Sequence, residues 1–328
     1  MINKNLVLLS YGKDSEYFRA IFCILSFVSW YEDHLNETRI NVYTDNPDFF
    51  KQYLSHISIE YILLTPALMT NMLADTTYFH RRKVSVIDMT FKQFPGENLI
   101  FIDSDTFFIS GYNPLLDNDD PKKSFMHRLE YTLGEALEFF TAFGQEEHPK
   151  AFMEYISNRQ FHIQGKKEQF GPNDNCWNSG VLGLHNSFAK YLPDVFQLTD
   201  DFYANSKWFI SEQLAFGLII QRQSEIQPVE SFVVHYWGKR QKELFDLLIE
   251  KFLTKTSAKD LANKSFIRVQ TKKWNKAFEI DVILQQAEIA ISQKDWKTIT
   301  KKIIKLIFRY PFNEKTYKGL YAALNASN

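Results

Sequence analysis

Short, nearly continuous apolar segments alternate with helical patterns along the first 240 residues of this 328-residue chain. Helical spacing of apolar residues occurs at 17–31 and 78–94. Such an alternation predicts an α/β fold, in which helices cover both faces of a mixed, mostly parallel sheet. The first predicted strands are NLVLLSY (5–11), RINVYT (39–44), ISIEYILL (57–64) and LIFID (99–103).

Two further strands and a helical extension are predicted in the second half. WNSGVLGLH (177–185) and SFVVHYWG (231–238) have strand patterns, and 207–221 between them has a helical one. We therefore expect one domain over 1–240, with 112–175 as an elaboration on the sheet that shapes the pocket of a second substrate and includes helices near 134–143 and 149–156. Residues 241–328 are predicted to form a helical C-terminal extension.

Charge separates these two parts. Residues 241–328 contain 17 Lys and Arg against 9 Asp and Glu, whereas residues 1–240 contain 21 against 30. The basic amphipathic pattern at 297–309 has two interpretations: peripheral contact with an anionic membrane, or a solvated basic face on a packed helix. No nucleic-acid-binding motif accompanies these lysines, so a nucleic-acid partner is not expected.

The two cysteines, Cys23 and Cys176, lack metal-ligand spacing and suggest a reducing compartment. The N-terminal apolar run is too short for a signal sequence, and no uncharged stretch has membrane-span length. We therefore expect a cytoplasmic protein, with a peripheral position on the cytoplasmic face of the inner membrane under the membrane interpretation.

The predicted strand at 99–103 runs directly into a pair of carboxylates, Asp103 and Asp105. Burying either charge unpaired would cost several kcal/mol. Side chains at i and i+2 of an extended segment point the same way, and ligands bind at the carboxyl ends of parallel strands. Carboxylate oxygens there suit Mg²⁺ or Mn²⁺. The alternative is that both carboxylates cap a strand and lie in water.

A phosphatase of the haloacid dehalogenase type also begins from a strand that ends in Asp-x-Asp. That pattern places Thr or Val two residues beyond the second Asp, where this chain has Phe107, and it normally lies on the first strand. Both features disfavour the phosphatase interpretation.

Four segments together are similar to those of one known class of enzyme. LIFIDSDTFF, WNSGVLGLH, SEQLAF and HYWGK resemble, in order, the Asp-x-Asp strand, the Asn-Ser-Gly strand, the Asp-Gln helix start and the His-x-x-Gly segment of GT-A glycosyltransferases. The resemblance covers residues 5–240 and is strongest to the family of glycogenin and the bacterial lipopolysaccharide galactosyltransferases. It implies a Rossmann-like GT-A domain, Mn²⁺ or Mg²⁺, a UDP-sugar donor, a glycan or glycolipid acceptor such as lipopolysaccharide or capsule, and retention of anomeric configuration.

The resemblance also implies roles for individual residues. Asp103, Asp105 and His235 would bind the metal, and a neutral imidazole suits that role independently; a satisfied core or surface histidine is the alternative. The implied donor-binding residues are Ser10, Tyr11, Gly12 and Asp45 at the base and ribose, Lys83 and Ser104 near the phosphates and sugar, Asn178 and Ser179 at the sugar, and Gly238 with Lys239 or Lys242 at the diphosphate.

Several of these residues have ordinary alternatives. Tyr11 could be a strand-end aromatic, and the DNPD turn also explains Asp45. Only one of the adjacent bases Arg81, Arg82 and Lys83 is expected to face the site.

The implied catalytic residues are Glu212 and Gln213, which replace the family's Asp-Gln pair, and Asp174, beside Asn175, where some relatives have Asp. Glu212 also fits a helix N-terminal acid. Gln241 stands where the family has a lysine. These departures support a second hypothesis, an interaction protein that retains the nucleotide site without turnover.

Overall fold

The computed structural model describes residues 3–292 and 295–309. The strands are β1 (Lys4–Leu9), β2 (Thr38–Thr44), β3 (Glu60–Leu63), β4 (Asn98–Ile102), β5 (Thr106–Phe108), β6 (Lys123–Thr132), β7 (Phe161–Ile163), β8 (Lys166–Glu168), β9 (Asn175–Leu184), β10 (Glu225–Pro228) and β11 (Val233–His235). The helices are α1 (Asp14–Trp30), α2 (Pro47–Leu54), α3 (Pro66–Asn71), α4 (Arg81–Gln93), α5 (Asn113–Leu116), α6 (Leu133–Ala142), α7 (Glu147–Ile156), α8 (Leu192–Ser206), α9 (Ser211–Gln223), α10 (Lys239–Lys255), α11 (Ala258–Leu261), α12 (Lys264–Ser292) and α13 (Trp296–Arg309), with 3₁₀ turns at Glu32–His34 and Asn186–Tyr191.

Seven strands form the central sheet in the order β10-β6-β9-β4-β1-β2-β3. Neighbours are parallel except at β9, which runs antiparallel to both β4 and β6. This confirms the predicted α/β class, the mixed and mostly parallel sheet, and the helical C-terminal part. Cys23 and Cys176 are both free and buried.

The sheet is buried on both faces because its strands are apolar at consecutive positions. On β1, Leu6 and Leu8 join one apolar cluster with α1, α10 and α12, while Val7 joins another with α4, α8 and α9. Strand β4 divides in the same way, with Ile100 in the first cluster and Phe101 in the second. Packing from both sides therefore holds the strand that leads to Asp103.

Strand β6 was not predicted, although it lies within the central sheet. Its sequence KSFMHRLEYT mixes apolar and charged residues, and its pairing with β9 shifts register between Met126 and Arg128 and again between Leu129 and Tyr131. These irregularities break the two-residue alternation by which a strand is recognised. Part of the region 112–175 is therefore sheet rather than an added elaboration.

Strand β11 covers only part of the predicted segment 231–238 and lies outside the central sheet. It pairs antiparallel with β5, which places His235 opposite Thr106. The backbone N–H of Tyr236 donates to the carbonyl oxygen of Asp105 at 3.0 Å. This small ribbon brings the predicted histidine ligand beside the predicted carboxylates.

The C-terminal helices pack against α1 through a shared apolar core. The Trp274 ring lies 4.4 Å from the Phe22 ring, centroid to centroid, and both are buried. Arg19 forms two hydrogen bonds with Asp246 of α10, at 2.5 and 2.6 Å. The division at residue 240 stays a prediction, but the helices that follow it complete the core.

Helix α13 is amphipathic, as its sequence predicts. Ile299 and Leu306 are buried, whereas Lys297, Lys301 and Lys305 are exposed. In the described part of the chain, no helix is both long and apolar enough to cross a membrane. Membrane contact through 297–309 stays a prediction.

Replacing Trp274 with Ala should lower the free energy of unfolding by about 3–5 kcal/mol, because it leaves a cavity between α1 and the extension. Urea unfolding measures this. Trp296→Ala is the matched control, since that side chain is 67% exposed, and it should change stability by less than about 0.5 kcal/mol. Equal effects would contradict the shared core.

Candidate metal and donor site

Asp103, Asp105 and His235 converge at the carboxyl end of β4. One ligand atom from each side chain lies within 4.8 Å of the others. His235 Nε2 is 3.3 Å from Asp105 Oδ1 and 3.8 Å from Asp103 Oδ2. Asp105 and His235 are both 5% exposed, and Asp103 remains partly open to the adjacent cavity. The oxygen and imidazole donors match those that Mn²⁺ and Mg²⁺ accept.

The hydrogen bonds around Asn178 determine which nitrogen of His235 carries its proton. The backbone N–H of Gly180 can only donate, and its partner at 3.0 Å is Asn178 Oδ1. His235 Nδ1 lies 2.9 Å from the same oxygen, so Nδ1–H must donate to it. Nε2 then faces the two aspartates. When Nε2 carries no proton, its lone pair would be available to a metal ion held by the same carboxylates.

Glycine at position 180 is required by the closeness of the histidine. A Cβ atom built on Gly180 would lie 2.2 Å from His235 Nδ1. Any larger residue would displace the imidazole, so the glycine of the WNSGVLGLH segment has a steric role in placing His235.

Two lysines neutralise the negative charges of the aspartates. Lys83 Nζ lies 3.2 Å from Asp103 Oδ2, and Lys242 Nζ lies 2.7 Å from Asp105 Oδ2. Burial opposes the ionisation of Asp105, but His235 and Lys242 outweigh it and hold the pKa of this carboxyl well below its usual value. Asp105 is therefore ionised and available as a ligand at neutral pH.

A cavity of about 460 Å³ opens beside the carboxylates. Its lining includes the predicted metal ligands Asp103 and Asp105. Predicted donor-binding residues also line it, namely Ser10, Tyr11, Gly12, Lys83, Ser104 and Lys242, together with Glu16, Phe79 and His80. Ser10 Oγ is buried and has no hydrogen-bond partner within residues 3–292 and 295–309. This free polar group fits a site that receives a polar ligand.

The loop after β1 is held in place by polar contacts. Asp45 accepts from Gly12 N–H at 3.1 Å and from the Tyr17 hydroxyl at 2.7 Å. Gly12 has φ +92°, a backbone conformation that favours glycine. The Arg82 guanidinium lies over the Tyr11 ring and donates to its hydroxyl oxygen at 2.9 Å. Asp45 thus supports the cavity wall, whereas Tyr11 forms part of it.

Lys83 is the base that faces the site from α4. Its Nζ is 3.2 Å from Glu212 Oε1, as it is from Asp103, and it donates to Ser179 Oγ at 3.0 Å. Burial disfavours the lysine charge, but the carboxylates outweigh it and raise the pKa of the ammonium. The neighbouring Arg81 pairs with Asp200 at 2.8 Å, away from the cavity.

Glu212 is the second residue of α9 and is buried among polar neighbours. Its Oε1 accepts from Ser179 Oγ at 3.1 Å. Burial raises the pKa of Glu212, but Lys83 and other neighbours outweigh it and lower that pKa overall. The Tyr78 hydroxyl lies 2.9 Å from Glu212 Oε2 and accepts from the Glu212 backbone N–H at 3.1 Å. Tyr78 was not predicted, because nothing in its sequence surroundings indicates such a contact.

Glu130 is a second residue that sequence reasoning missed. Its carboxylate accepts from Asn178 Nδ2 and from Gln213 Nε2, both at 3.1 Å. Gln213 Oε1 in turn accepts from the Ser179 N–H at 3.2 Å. Glu130 lies on β6, so its role was hidden together with that strand. It connects the predicted sugar-binding and catalytic side chains.

The start of α10 distinguishes the two lysines that could serve the diphosphate. Lys242 reaches Asp105, whereas Lys239 is exposed. Gln241 is buried and donates to Asp281 and Gln285 of α12, at 3.1 and 2.8 Å. The residue at the family's lysine position is thus used to hold the helical extension. A Cβ on Gly238 would lie 2.0 Å from Gln241 Oε1, so a larger residue would displace the Gln241 amide.

Asp174 lies apart from these residues. It forms an ion pair with Arg222 at 2.7 Å and accepts from Gly171 N–H at 2.8 Å. It precedes Asn178 by four residues on an extended chain, which is roughly 13 Å. Its predicted catalytic role gains no support from this position, and its contacts stabilise the turn before β9.

No protein-family model matches the sequence, and no curated protein matches it. Among solved structures, mouse xyloside xylosyltransferase 1 is similar at a TM-score of 0.44 and 13% identity, over 70% of this chain and 85% of that one. The galactosyltransferase LgtC, in complex with donor and acceptor sugar analogues, is similar at a TM-score of 0.45 and 12% identity, over 77% of this chain and 97% of that one. The glycosyltransferase GlyE of Streptococcus pneumoniae is similar at a TM-score of 0.46 and 11% identity, over 82% of this chain and 63% of that one. At these TM-scores the likeness assigns neither a family nor an activity.

Replacing Lys83 with Met should lower the free energy of unfolding by about 3–5 kcal/mol, because Glu212 and Asp103 lose their buried cation. Urea unfolding at pH 7 measures this, and adding Glu212→Gln should recover part of the loss.

Lys92→Met is the matched control on the same helix, since the Lys92 side chain is 74% exposed, and its effect should be below about 0.5 kcal/mol. A Lys83→Met protein as stable as this control would show that the buried ion pairs do not form.

Proposed function

We propose that the chain transfers a sugar from a UDP-sugar to a hydroxyl group of a glycan or glycolipid, in a metal-dependent reaction with retention of configuration. The observation that carries the proposal is the convergence of Asp103, Asp105 and His235, with His235 Nε2 at 3.8 and 3.3 Å from the two carboxylates. The sequence resemblance to GT-A glycosyltransferases supplies the donor class and the stereochemistry.

Asp103, Asp105 and His235 would hold Mn²⁺ or Mg²⁺. Such an ion, when bound, neutralises diphosphate oxygens and stabilises the charge that develops on a departing nucleoside diphosphate. The second oxygen of Asp105 is already paired with Lys242 at 2.7 Å. Lys242 is thereby positioned to contribute a second positive charge at the diphosphate.

The cavity beside the carboxylates would accept the nucleoside. Tyr11 contributes an aromatic wall, and Ser10 and Gly12 contribute polar groups at the end of β1. Asp45 is assigned a supporting role through Gly12 and Tyr17. A volume of about 460 Å³ falls within the usual range for small-molecule sites, ~300–1,000 Å³.

The donor sugar would lie against β9 and the start of α9. Asn178 and Ser179 face this region with Gln213, and Glu130 orients Asn178 and Gln213. Glu212 pairs with Lys83 and accepts from Ser179, so we assign it to positioning rather than to attack. A preorganised polar wall of this kind stabilises the charge of an oxocarbenium-like transition state.

We place the reaction in the cytoplasm and propose lipopolysaccharide or capsule components as acceptors. The exposed basic face of α13 would allow contact with an anionic membrane surface. An interaction protein without turnover would bind UDP but would not release it from UDP-sugars, so donor hydrolysis distinguishes the two functions.

Calorimetric titration of UDP should show binding with Mn²⁺ and a loss of affinity with EDTA. An Asp103→Ala, Asp105→Ala double variant should weaken binding by about tenfold or more, because the metal loses two anionic ligands. Asp119→Ala with Asp120→Ala removes the same charge from an exposed turn and serves as the control. No UDP binding by the folded wild type would overturn the proposal.

Lys242→Met should weaken UDP binding by about tenfold, because a charge-assisted contact is lost. Lys239→Met, three residues earlier on α10, should have little effect. The comparison is made by the same titration at one ionic strength, since both substitutions remove one positive charge. A larger effect at Lys239 would reverse this assignment.

A further inference from the structure

Five side chains, one of them the predicted metal ligand His235, form a closed ring of contacts. His235 bonds to Asn178 at 2.9 Å, and Asn178 bonds to Glu130 at 3.1 Å. Glu130 Oε1 lies 4.0 Å from Arg128 Nη2, and the Arg128 guanidinium lies 4.5 Å from the Trp237 ring centroid. The Trp237 and His235 rings, 5.1 Å apart, complete the ring.

Trp237 is the exposed member of this ring. Its side chain is 39% exposed, although the flanking Tyr236 is buried and His235 faces the predicted metal. Arg128 covers one face of the indole, and the His127 ring contacts it edge-on at 6.2 Å. The indole is therefore flanked by side chains of β6 and β11, and the part that they leave uncovered presents apolar surface to solvent.

Polar groups accompany this surface. The Arg128 side chain is 38% exposed and Glu130 is 11% exposed, and they provide a donor fork and a carboxylate acceptor beside the indole. A pyranose ring combines an apolar face with peripheral hydroxyl groups. Aromatic surface with a few placed polar groups matches that combination.

The geometry points to Trp237, Arg128 and Glu130 as an acceptor-sugar subsite. Trp237 would stack against the apolar face of the sugar, and Arg128 and Glu130 would hydrogen-bond its hydroxyl groups. This inference rests on the proposed glycosyltransferase function, because it assigns the acceptor to residues that contact His235 and Asn178 but do not line the nucleotide cavity. Trp237 is a specificity-determining residue in this arrangement.

Ligand-observed saturation-transfer NMR tests the subsite, with methyl β-galactoside and methyl β-glucoside as probes in the presence of UDP and Mg²⁺. Wild-type protein should transfer saturation to at least one glycoside. Trp237→Ala should lower the affinity for that glycoside by about tenfold, the equivalent of about 1.4 kcal/mol, while the affinity for UDP changes much less. Trp237→Phe should recover part of the loss, because it restores an aromatic surface.

Trp296→Ala is the matched control, because this tryptophan is exposed on α13, and it should bind the glycoside like wild type. Equal glycoside affinity in Trp237→Ala and wild type would overturn the subsite. The absence of glycoside binding in wild-type protein that binds UDP would also overturn it. A wild-type protein that binds no UDP would overturn the proposed function itself, and the subsite with it.

Discussion

The site depends on the ion pairs that the buried ammonium of Lys83 forms. It neutralises two carboxylates that come from different parts of the fold, Asp103 after β4 and Glu212 at the start of α9, and it also bonds to Ser179 on β9. Removing buried charge from water is costly unless each charge is paired, so the three elements can approach one another only with this cation between them. The same ammonium group therefore neutralises the carboxylates of the site and holds three elements of the fold together.

Chain direction explains why so many of these groups meet at one place. Strands β1, β2 and β4 end on the same edge of the sheet because they are parallel, and β9 arrives there from the opposite direction. The edge therefore receives loop residues from the parallel strands and mid-strand residues from β9. Loop residues leave room for a ligand. Asn178 is paired with Arg128 of β6, and Gly180 accepts from Asp103 N–H, so these two residues of β9 set the orientation of His235.

Sequence reasoning succeeded where local pattern and position agreed. Continuous apolar runs predicted the buried strands, and Asp103 and Asp105 followed one of them directly. It failed where strand pairing is irregular. The pairing of β6 with β9 has two register shifts, so the sequence could not place Glu130 and Arg128 on one face of the sheet. Long-range partners such as Tyr78 and Glu212, 134 residues apart, leave no local signal. The substitution at Gln241 could be noticed from the sequence, but its contacts with α12 required the fold.

The antiparallel pairing of β9 with β4 also determines that Nδ1 of His235 carries a proton. Asp103 N–H donates to the Gly180 carbonyl at 2.9 Å, so the register of β4 against β9 aligns Gly180 with the first carboxylate. A slip of one residue would turn the Asn178 side chain to the opposite face. His235 would then lose the acceptor that holds the proton on Nδ1, and its free nitrogen would no longer be defined. Hydrogen bonds between backbones thus determine, through one amide side chain, which atom of the histidine remains available as a ligand.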